Sequence, residues 1–412
     1  MNYIHILFLL FSCFIYGKLR KILLSDSFTI PFEYNNNLKH YLQTSVYFMD
    51  KKNNDRHSSQ YKLNLDLNCF TSWIVPEILD DMYLDKKTNA YGPFHAAVIG
   101  GDKGLAYLNF NDLLFWPDFT FIFITNITGV LDVSYILGLG RDGAFQKYIT
   151  EHYKSGKFLI NYQTKVLQGG KIVDEFLEKN SNNVAKINIL PQDHQKMLYG
   201  YYCNLEFVYF SNDINGKIYE NDYIDGKKII YNQENFIFTN TFISRFETMT
   251  DKIKAPQEFI DYLEKNYFKG KNCPYQKIDN KKYFICDEES YNKCSDINFV
   301  FDGYDFRIPK EILFFQTDSK YYFNIVLNNK VKNFDWLIGN RFLLNFIPVF
   351  DSPNNLIYFI DNQKESFYKI TFEKERKFQK GKIISKIIGF NIGICLLFSL
   401  ISIYVKVKLF QQ

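Results

Sequence analysis

The fold is decided by one stretch of the chain, YKLNLDLNCFTSWIVP, which runs from Tyr61 to Pro76. Its first part, Tyr61 to Leu67, is one of many short apolar and aromatic runs that alternate with turn residues, a pattern typical of β-strands. Asp66 lies at the end of this predicted strand, and Asn68 follows in the predicted turn. A single Asp in a turn commonly caps local amides in solvent, so a functional role needs support from elsewhere in the chain.

That support comes from segments with a fixed order along the sequence. The first half contains Ile136-Leu137-Gly138-Leu139-Gly140. The second half contains, in order, Asn298-Phe299-Val300-Phe301-Asp302-Gly303, Ile308-Pro309, Asp335-Trp336-Leu337-Ile338-Gly339-Asn340-Arg341-Phe342-Leu343 and Val349-Phe350-Asp351. Each segment is a weak signal alone, but their order and spacing over about residues 40 to 362 make a chance match improbable.

Together these segments resemble the pepsin-like aspartic proteases, the peptidase A1 type. Residues 61–76 are similar to that family's first active-site strand and turn, with its Asp-Thr-Gly-Ser and Trp-Val-Pro elements. Residues 136–140 are similar to the Ile-Leu-Gly-Leu-Gly segment behind that turn, and residues 335–343 to Ile-Leu-Gly-Asp-x-Phe-Leu. The resemblance implies an all-β, bilobed fold with few short helices, in which each lobe lends one loop to a central cleft.

The resemblance also implies a chemistry, the hydrolysis of peptide bonds by water. Two carboxylates about 3 Å apart cannot both ionise, so they share a proton; one activates water while the other polarises the carbonyl. Each lies in an Asp-Thr/Ser-Gly turn, because Gly permits close backbone approach and the hydroxyl joins the two loops by hydrogen bonds. No cofactor or metal is part of this mechanism, so the expected cofactor is none.

The sequence departs from the family pattern in both loops. Asp66 matches the first catalytic Asp, but Leu67 replaces the Thr and Asn68 replaces the Gly. We expect the second loop to follow a strand at 236–238, which puts Thr239 in the position of the second Asp, with Thr241 close by on the substrate side. Glu234 and Glu247 lie on either side of this loop, and moving either into register would disrupt the strand alignment.

The flap that covers the substrate in this family is expected at residues 98–102. This placement puts Ile99 where the family has Tyr and makes Ile99 and Gly100 substrate-binding positions together with Asn68 and Thr241. Tyr91-Gly92 is an alternative placement of the same feature.

Composition sets the size of the protein and excludes a polyanion partner. The chain has 412 residues, enough for two or three domains, and its 42 Phe, 31 Tyr and 3 Trp provide for a large core. The net charge of +4 is small and evenly spread, which excludes nucleic acid as the expected partner. The phosphate-loop pattern and the Gly-x-Ser-x-Gly nucleophile motif are also absent from the sequence.

Both ends of the chain are apolar. We predict a signal peptide at 1–17, a basic juxtamembrane stretch at 371–386, a transmembrane helix at 387–405 and a short cytosolic tail at 406–412. The basic stretch lies on the predicted lumenal side, against the positive-inside tendency, but the signal peptide should dominate the orientation. The body is therefore expected in a lumenal or extracellular compartment of the secretory pathway, in a vacuole or at the cell surface, with Asn126 as a glycosylation acceptor.

Five cysteines lie in the body between these ends. Five is an odd number, so one thiol should stay unpaired, and the group Cys273, Cys286 and Cys294 should hold one disulfide whose pairing the sequence does not give. Zinc is the alternative for this group, but paired C-x-x-C spacing and a neighbouring His are missing, so we expect no metal site.

The body divides into two β-rich parts of similar size. We place the first lobe at 18–185 and the second at 186–370, with the polar stretch 179–183 as the linker. Helices are expected at 145–152 and at 256–267, the second opened by Pro256.

Two functions from different classes follow from these observations. With Thr239 opposite Asp66 no proton can be shared, which favours a membrane-anchored, catalytically impaired homologue that binds a peptide or protein in the interlobe cleft. The alternative is an active aspartic endopeptidase. A carboxylate opposite Asp66 distinguishes the enzyme from the binding protein.

Overall fold

The computed structural model describes residues 26–34, 42–49, 56–75, 88–94, 97–110, 114–128, 135–191, 200–210, 242–278, 281–328, 336–360 and 367–369. The predicted signal peptide, basic stretch, membrane span and tail lie outside these ranges, as do Thr239 and Thr241. Among the described residues, no helix has the length and apolar character that a membrane crossing requires. The anchor at 387–405 therefore stays a prediction.

The described part of the first half consists mainly of strands. They are β1 (Ser27–Pro31), β2 (Glu33–Tyr34), β3 (Leu42–Met49), β4 (Arg56–Asp66), β5 (Trp73–Ile74), β6 (Thr88–Phe94), β7 (Ala97–Phe110), β8 (Leu114–Thr128), β9 (Tyr135–Gly138), β10 (Lys157–Asn161), β11 (Val166–Gly170) and β12 (Val184–Asn188), with helices α1 (Ala144–Tyr153) and α2 (Lys171–Lys179). The helix expected at 145–152 is confirmed as α1. The stretch 179–183 is the end of α2 and a short 3₁₀ turn (Ser181–Asn183) that leads into β12.

The second half has the same character. Its strands are β13 (Tyr202–Phe210), β14 (Phe242–Phe246), β15 (Ile253–Ala255), β16 (Tyr275–Ile278), β17 (Lys281–Cys286), β18 (Ile297–Phe301), β19 (Tyr304–Ile308), β20 (Phe314–Thr317), β21 (Lys320–Phe323), β22 (Ile325–Leu327), β23 (Trp336–Ile338), β24 (Ile347–Asp351), β25 (Leu356–Ile360) and β26 (Phe367–Lys369). Its helices are α3 (Gln257–Tyr262), α4 (Glu288–Asn292), α5 (Lys310–Leu313) and α6 (Asn340–Leu343). Pro256 is the N-cap of α3, and a π-helical turn (Leu263–Tyr267) completes the helix expected at 256–267.

The described strands form two large sheets with the same internal arrangement. The first lobe has an eight-stranded sheet in the order β2-β3-β4-β9-β5-β8-β7-β6, and the second lobe an eight-stranded sheet in the order β22-β15-β23-β14-β13-β18-β19-β26. In the first sheet β4 pairs parallel to β9, and β9 pairs antiparallel to β5. In the second, β14 pairs parallel to β23, and β23 pairs antiparallel to β15. The mostly-β fold is thus confirmed, and its two large sheets share one internal arrangement.

A third sheet contains strands from both halves of the chain. Its order is β1-β11-β10-β24-β25-β12, with β10 from the first half antiparallel to β24 from the second. The stacked rings of Phe158 and Phe350 lie at this junction, with centroids 5.1 Å apart. The two loops that follow β4 and β14 are therefore held on a common base.

The cysteines of the second lobe form one disulfide. Cys273 and Cys286 are bonded, while Cys294 is a buried thiol. The sulfur atoms of all three lie within 4.8 Å of one another, but the disulfide occupies two of the three possible metal ligands. Cys69 and Cys203 are also buried thiols, so the described body has three unpaired cysteines and not the single one expected.

Candidate functional site

The first loop begins where β4 ends, at Asp66. This residue is fully buried, and its Oδ1 accepts a hydrogen bond of 2.8 Å from the N–H of Asn68, two residues later. Its carbonyl accepts a bond of 2.7 Å from the N–H of Leu139, at the end of the neighbouring parallel strand β9. The parallel pairing is therefore what fixes the position of the carboxylate at the strand end.

The second loop repeats this geometry with a different residue. It begins where β14 ends, and its carboxylate belongs to Glu247, which is 2% exposed. The Oε1 of Glu247 accepts a bond of 3.0 Å from the N–H of Met249, again two residues later. The N–H of Glu247 donates to the carbonyl of Ile338, at the end of the parallel strand β23.

Two glycines show independently that the loops are equivalent. A Cβ on Gly138 would lie 2.5 Å from the carbonyl oxygen of Cys69 and 2.6 Å from that of Thr71, the third and fifth residues after Asp66. A Cβ on Gly339 would lie 2.6 Å from the carbonyl oxygen of Thr250 and 2.4 Å from that of Lys252, the third and fifth residues after Glu247. Glu247 therefore occupies the position that corresponds to Asp66.

This result corrects the register expected for the second loop. The loop follows β14 and not a strand at 236–238, and its sequence is Glu247-Thr248-Met249. Thr239 and Thr241 lie outside the described residues, but the site position assigned to Thr239 is taken by Glu247. Placing Glu247 at the position of the second acid does not disrupt the sheet, because the strand Phe242–Phe246 precedes it and pairs with β23.

A hydroxyl of the second loop joins the two loops. Thr248 Oγ1 donates a bond of 2.6 Å to the carbonyl of Leu65 and accepts one of 3.2 Å from the N–H of Leu67. Leu67 is the equivalent residue of the first loop, and it has no hydroxyl that could bond to the backbone of the second loop in the same way. The carbonyl of Phe246, the counterpart of Leu65, instead accepts a bond of 2.9 Å from Nδ2 of Asn68.

The Glu247 carboxylate also has a cationic neighbour. Its Oε2 lies 3.2 Å from a guanidinium nitrogen of Arg245, and the side chains of Arg245 and Glu247 are 15% and 3% exposed. Arg245 is the cross-strand partner of Tyr202 on β13. Both oxygens of Glu247 therefore have a hydrogen-bond donor within its own loop and strand.

The thiol of Cys69 is buried in the first loop, three residues after Asp66. Burial raises the pKa of the Cys69 thiol well above its ordinary value, and the charge of Asp66 and, more weakly, that of Glu247 add to the rise. The hydrogen bond of 2.9 Å from Cys69 Sγ to the carbonyl of Thr71 acts in the opposite direction. This thiol is therefore a weak acid and a poor nucleophile.

A second layer of side chains supports the second loop. Asn340 Nδ2 donates a bond of 2.8 Å to the carbonyl of Thr248, and Tyr162 donates one of 2.8 Å to Asn340 Oδ1. Asp251 accepts bonds from Arg341 Nε at 2.6 Å and from Tyr34. Burial, followed by the charge of Asp251, raises the pKa of Tyr34, so its hydroxyl remains a donor.

The predicted flap residues lie in the hairpin of β6 and β7. Gly100 pairs with Tyr91 on one side and with Asn126 on the other, while Ile99 pairs with Gly92 and Ile127. The placements at 98–102 and at Tyr91-Gly92 are therefore the two strands of one hairpin. The register shifts at Gly101, where a Cβ would lie 2.0 Å from the carbonyl oxygen of Phe123.

Comparison with known proteins agrees with this geometry. A sequence model of the eukaryotic aspartyl protease family matches residues 216–361. The aspartic proteinase of Irpex lacteus superimposes with a TM-score of 0.59 at 11% identity, over 82% of this chain and 98% of its own. This chain is similar to the pepsin-like aspartic proteases, in sequence over residues 216–361 and in fold over most of its length.

Seed globulins share the fold of this chain. The basic 7S globulin from soybean superimposes with a TM-score of 0.60 at 11% identity, and conglutin gamma, a basic 7S globulin from lupine seeds, with 0.59 at 12%. Each match covers 82% of this chain and 95% of the globulin. No curated protein sequence matches this chain. These identities are low enough that the superpositions establish the fold alone.

Sequence reasoning missed Glu247, although the signal was present. The run Phe246-Glu247-Thr248 has the hydrophobic, acidic, hydroxyl order of the family motif. A strict search for Asp and for a following Gly overlooks it, because this chain has Glu247 and Met249 at those two positions. Treating Glu as an acceptable acid would have found the second carboxylate.

Proposed function

We propose that this chain is a pepsin-like protein that binds an extended peptide segment between its lobes without hydrolysing it by the family's two-aspartate mechanism. The observation that carries the proposal is the contact of Glu247 with Arg245, at 3.2 Å. In the family mechanism one proton is shared by two carboxylates and moves during the reaction. The positive charge of a guanidinium bonded to Glu247 compensates the negative charge of this carboxylate. This removes the electrostatic repulsion that makes the two carboxylates share a proton.

The length of the Glu247 side chain supports the same conclusion. Glu has one methylene more than Asp, so its carboxyl group lies more than about 1 Å further from its backbone. Displacement of a catalytic group by about 1 Å commonly lowers a rate by about a hundredfold. Leu67, Asn68 and Met249, which replace the Thr and both Gly residues of the family loops, add further changes at the same place.

An active aspartic endopeptidase is the second candidate, and a specific observation favours it. Asp66 and Glu247 occupy equivalent positions, and each accepts the N–H of the residue two places later. Glu247 therefore offers a second carboxylate at the loop position equivalent to that of Asp66, which the assignment of Thr239 did not provide. An Asp/Glu pair could divide the roles of base and acid if Arg245 moved away.

A hydrolysis assay decides between the two candidates. The full chain in detergent is incubated with a mixed peptide library between pH 3 and pH 7, alongside Asp66→Asn, Glu247→Gln and the exposed-carboxylate control Glu175→Gln. We expect all four proteins to give the same background of cleavage, measured by mass spectrometry, while peptides co-purify with wild type. Cleavage by wild type and Glu175→Gln that falls at least about a hundredfold in both site variants would establish the endopeptidase instead.

We also propose that the body faces a lumenal or extracellular space and is anchored through residues 387–405. The two apolar ends of the sequence and the sequon at Asn126 support this topology. In sealed microsomes, added protease should remove a tag fused after Gln412 and leave the body intact, and deglycosylation should lower the apparent mass of the body. Protection of the tag and digestion of the body would reverse the assignment.

A further inference from the structure

One face of the first-lobe sheet carries an apolar patch that is separate from the main core. The patch consists of Trp73, Ile122, Ile124 and Ile136, with Cys69 beside them. Alternate residues of the same strands, such as Ile74, Phe123 and Leu137, belong to the main core. Because successive side chains of a strand point to opposite faces, the patch lies on the face turned away from that core.

Two partly buried side chains pack against this patch, Val75 from the same lobe and Met249 from the other. Met249 is the third residue of the second loop. Its N–H is bonded to Glu247, and the adjacent Cys69 thiol is influenced by the charges of both Asp66 and Glu247. Met249 therefore belongs to the second loop by its backbone and contacts the first lobe by its side chain.

The residue type at this position is also informative. The equivalent loop position in the aspartic protease pattern is Gly, which leaves the space beside the carboxylates open. Methionine is long, flexible and apolar, so it can fill an irregular apolar space and can also leave it at low conformational cost. A methionine here adds to the second loop a side chain large enough to fill the place of one side chain of a ligand.

We propose that Met249 is an intramolecular occupant of this apolar patch, and that an apolar side chain of a bound peptide must displace it. The proposal rests on the peptide binding proposed above. It adds that Met249 limits the affinity for peptides and favours those with a large apolar side chain. Removal of the thioether then exposes the patch, whereas a side chain of similar size preserves the cover.

The test compares Met249→Gly and Met249→Ala with the size-matched control Met249→Leu, all in the full chain carrying Asp66→Asn so that no peptide is cleaved. The probes are two fluorescein-labelled pentapeptides that differ only in a central Phe or Ala. We expect Met249→Gly and Met249→Ala to bind the Phe peptide roughly tenfold to a hundredfold tighter than the parent, since burial of one large apolar side chain is worth about that factor. Met249→Leu should bind like the parent, and the Ala peptide should show no gain.

A second measurement does not depend on the choice of peptide. Alkylation of Cys69 by N-ethylmaleimide at pH 8, followed by peptide mapping, should accelerate at least about tenfold in Met249→Gly and stay unchanged in Met249→Leu, because the thioether shields the thiol. Melting curves confirm that each variant is folded, and Met249→Ala replaces Met249→Gly if the latter is not.

Unchanged alkylation would show that Met249 does not cover the patch, and unchanged affinity for the Phe peptide would show that no ligand side chain competes with it. Either result overturns the proposal, as does the absence of binding in every variant. Cleavage by the wild-type chain, by contrast, would overturn the proposed non-catalytic function and leave the displacement of Met249 to be judged by these two measurements.

Discussion

Replacing Thr248 by Val is expected to lower the free energy of unfolding by about 2 to 5 kcal/mol, since each buried polar group left without a partner costs about 1 to 3 kcal/mol. Thr248 is fully buried, and its hydroxyl serves both the carbonyl of Leu65 and the N–H of Leu67. Valine has nearly the same shape and no hydroxyl, so both backbone groups of the first loop would lose this partner. Urea unfolding followed by circular dichroism measures the difference.

The matched control is Thr248→Ser. Serine keeps the hydroxyl and removes one methyl group, so we expect a loss of only about 1 kcal/mol. A Thr248→Val variant as stable as the wild type, beside a loss in Thr248→Ser, would mean that packing of the methyl group, and not the junction of the loops, accounts for the role of Thr248.

Replacing Gly138 by Ala is expected to destabilise the protein by about 3 kcal/mol or more, at the upper end of the cost of overpacking. The added Cβ would lie 2.5 Å from one carbonyl oxygen and 2.6 Å from another, and both belong to the backbone of the first loop. Neither atom can move without displacing the turn that follows Asp66. Gly339→Ala should have a similar effect on the second loop, where the distances are 2.4 Å and 2.6 Å.

The variant Gly270→Ala is the control: it measures the cost of an unfavourable backbone conformation without a steric clash of the added Cβ. Gly270 has φ of 72°, and a Cβ there would meet nothing within 4 Å. We expect a loss of about 1 kcal/mol from the left-handed conformation alone. A Gly138→Ala variant as stable as Gly270→Ala would contradict the close packing of β9 against the first loop.

The fold could be predicted from the sequence because its signals are local. The strand ending at Asp66, the glycines of residues 136–140 and the segment 335–343 each contain the residue types that their backbone positions demand. The matched pairing of β4 with β9 and of β14 with β23 follows from those segments. The α1 helix was predictable for the same reason, from apolar residues at helical spacing.

The second carboxylate could not be found in the same way. The run at 236–238 and the strand Phe242–Phe246 both begin with Phe-Ile and end with Phe, so local pattern does not choose between them. The choice is made by contacts between residues far apart in the chain, such as that of Thr248 with Leu65. The pairing of Cys273 with Cys286 is a similar case, because three cysteines of like spacing were available.

The junction of the two loops also limits how this protein could be assembled from its halves. The first loop contributes an amide, from Asn68, and the second contributes a hydroxyl, from Thr248. Two copies of the first half would present two amides and no hydroxyl, and two copies of the second half the reverse. A first lobe paired with its own copy would leave the N–H of Leu67 without the hydroxyl that accepts its hydrogen bond, so the two lobes contribute different groups to one junction.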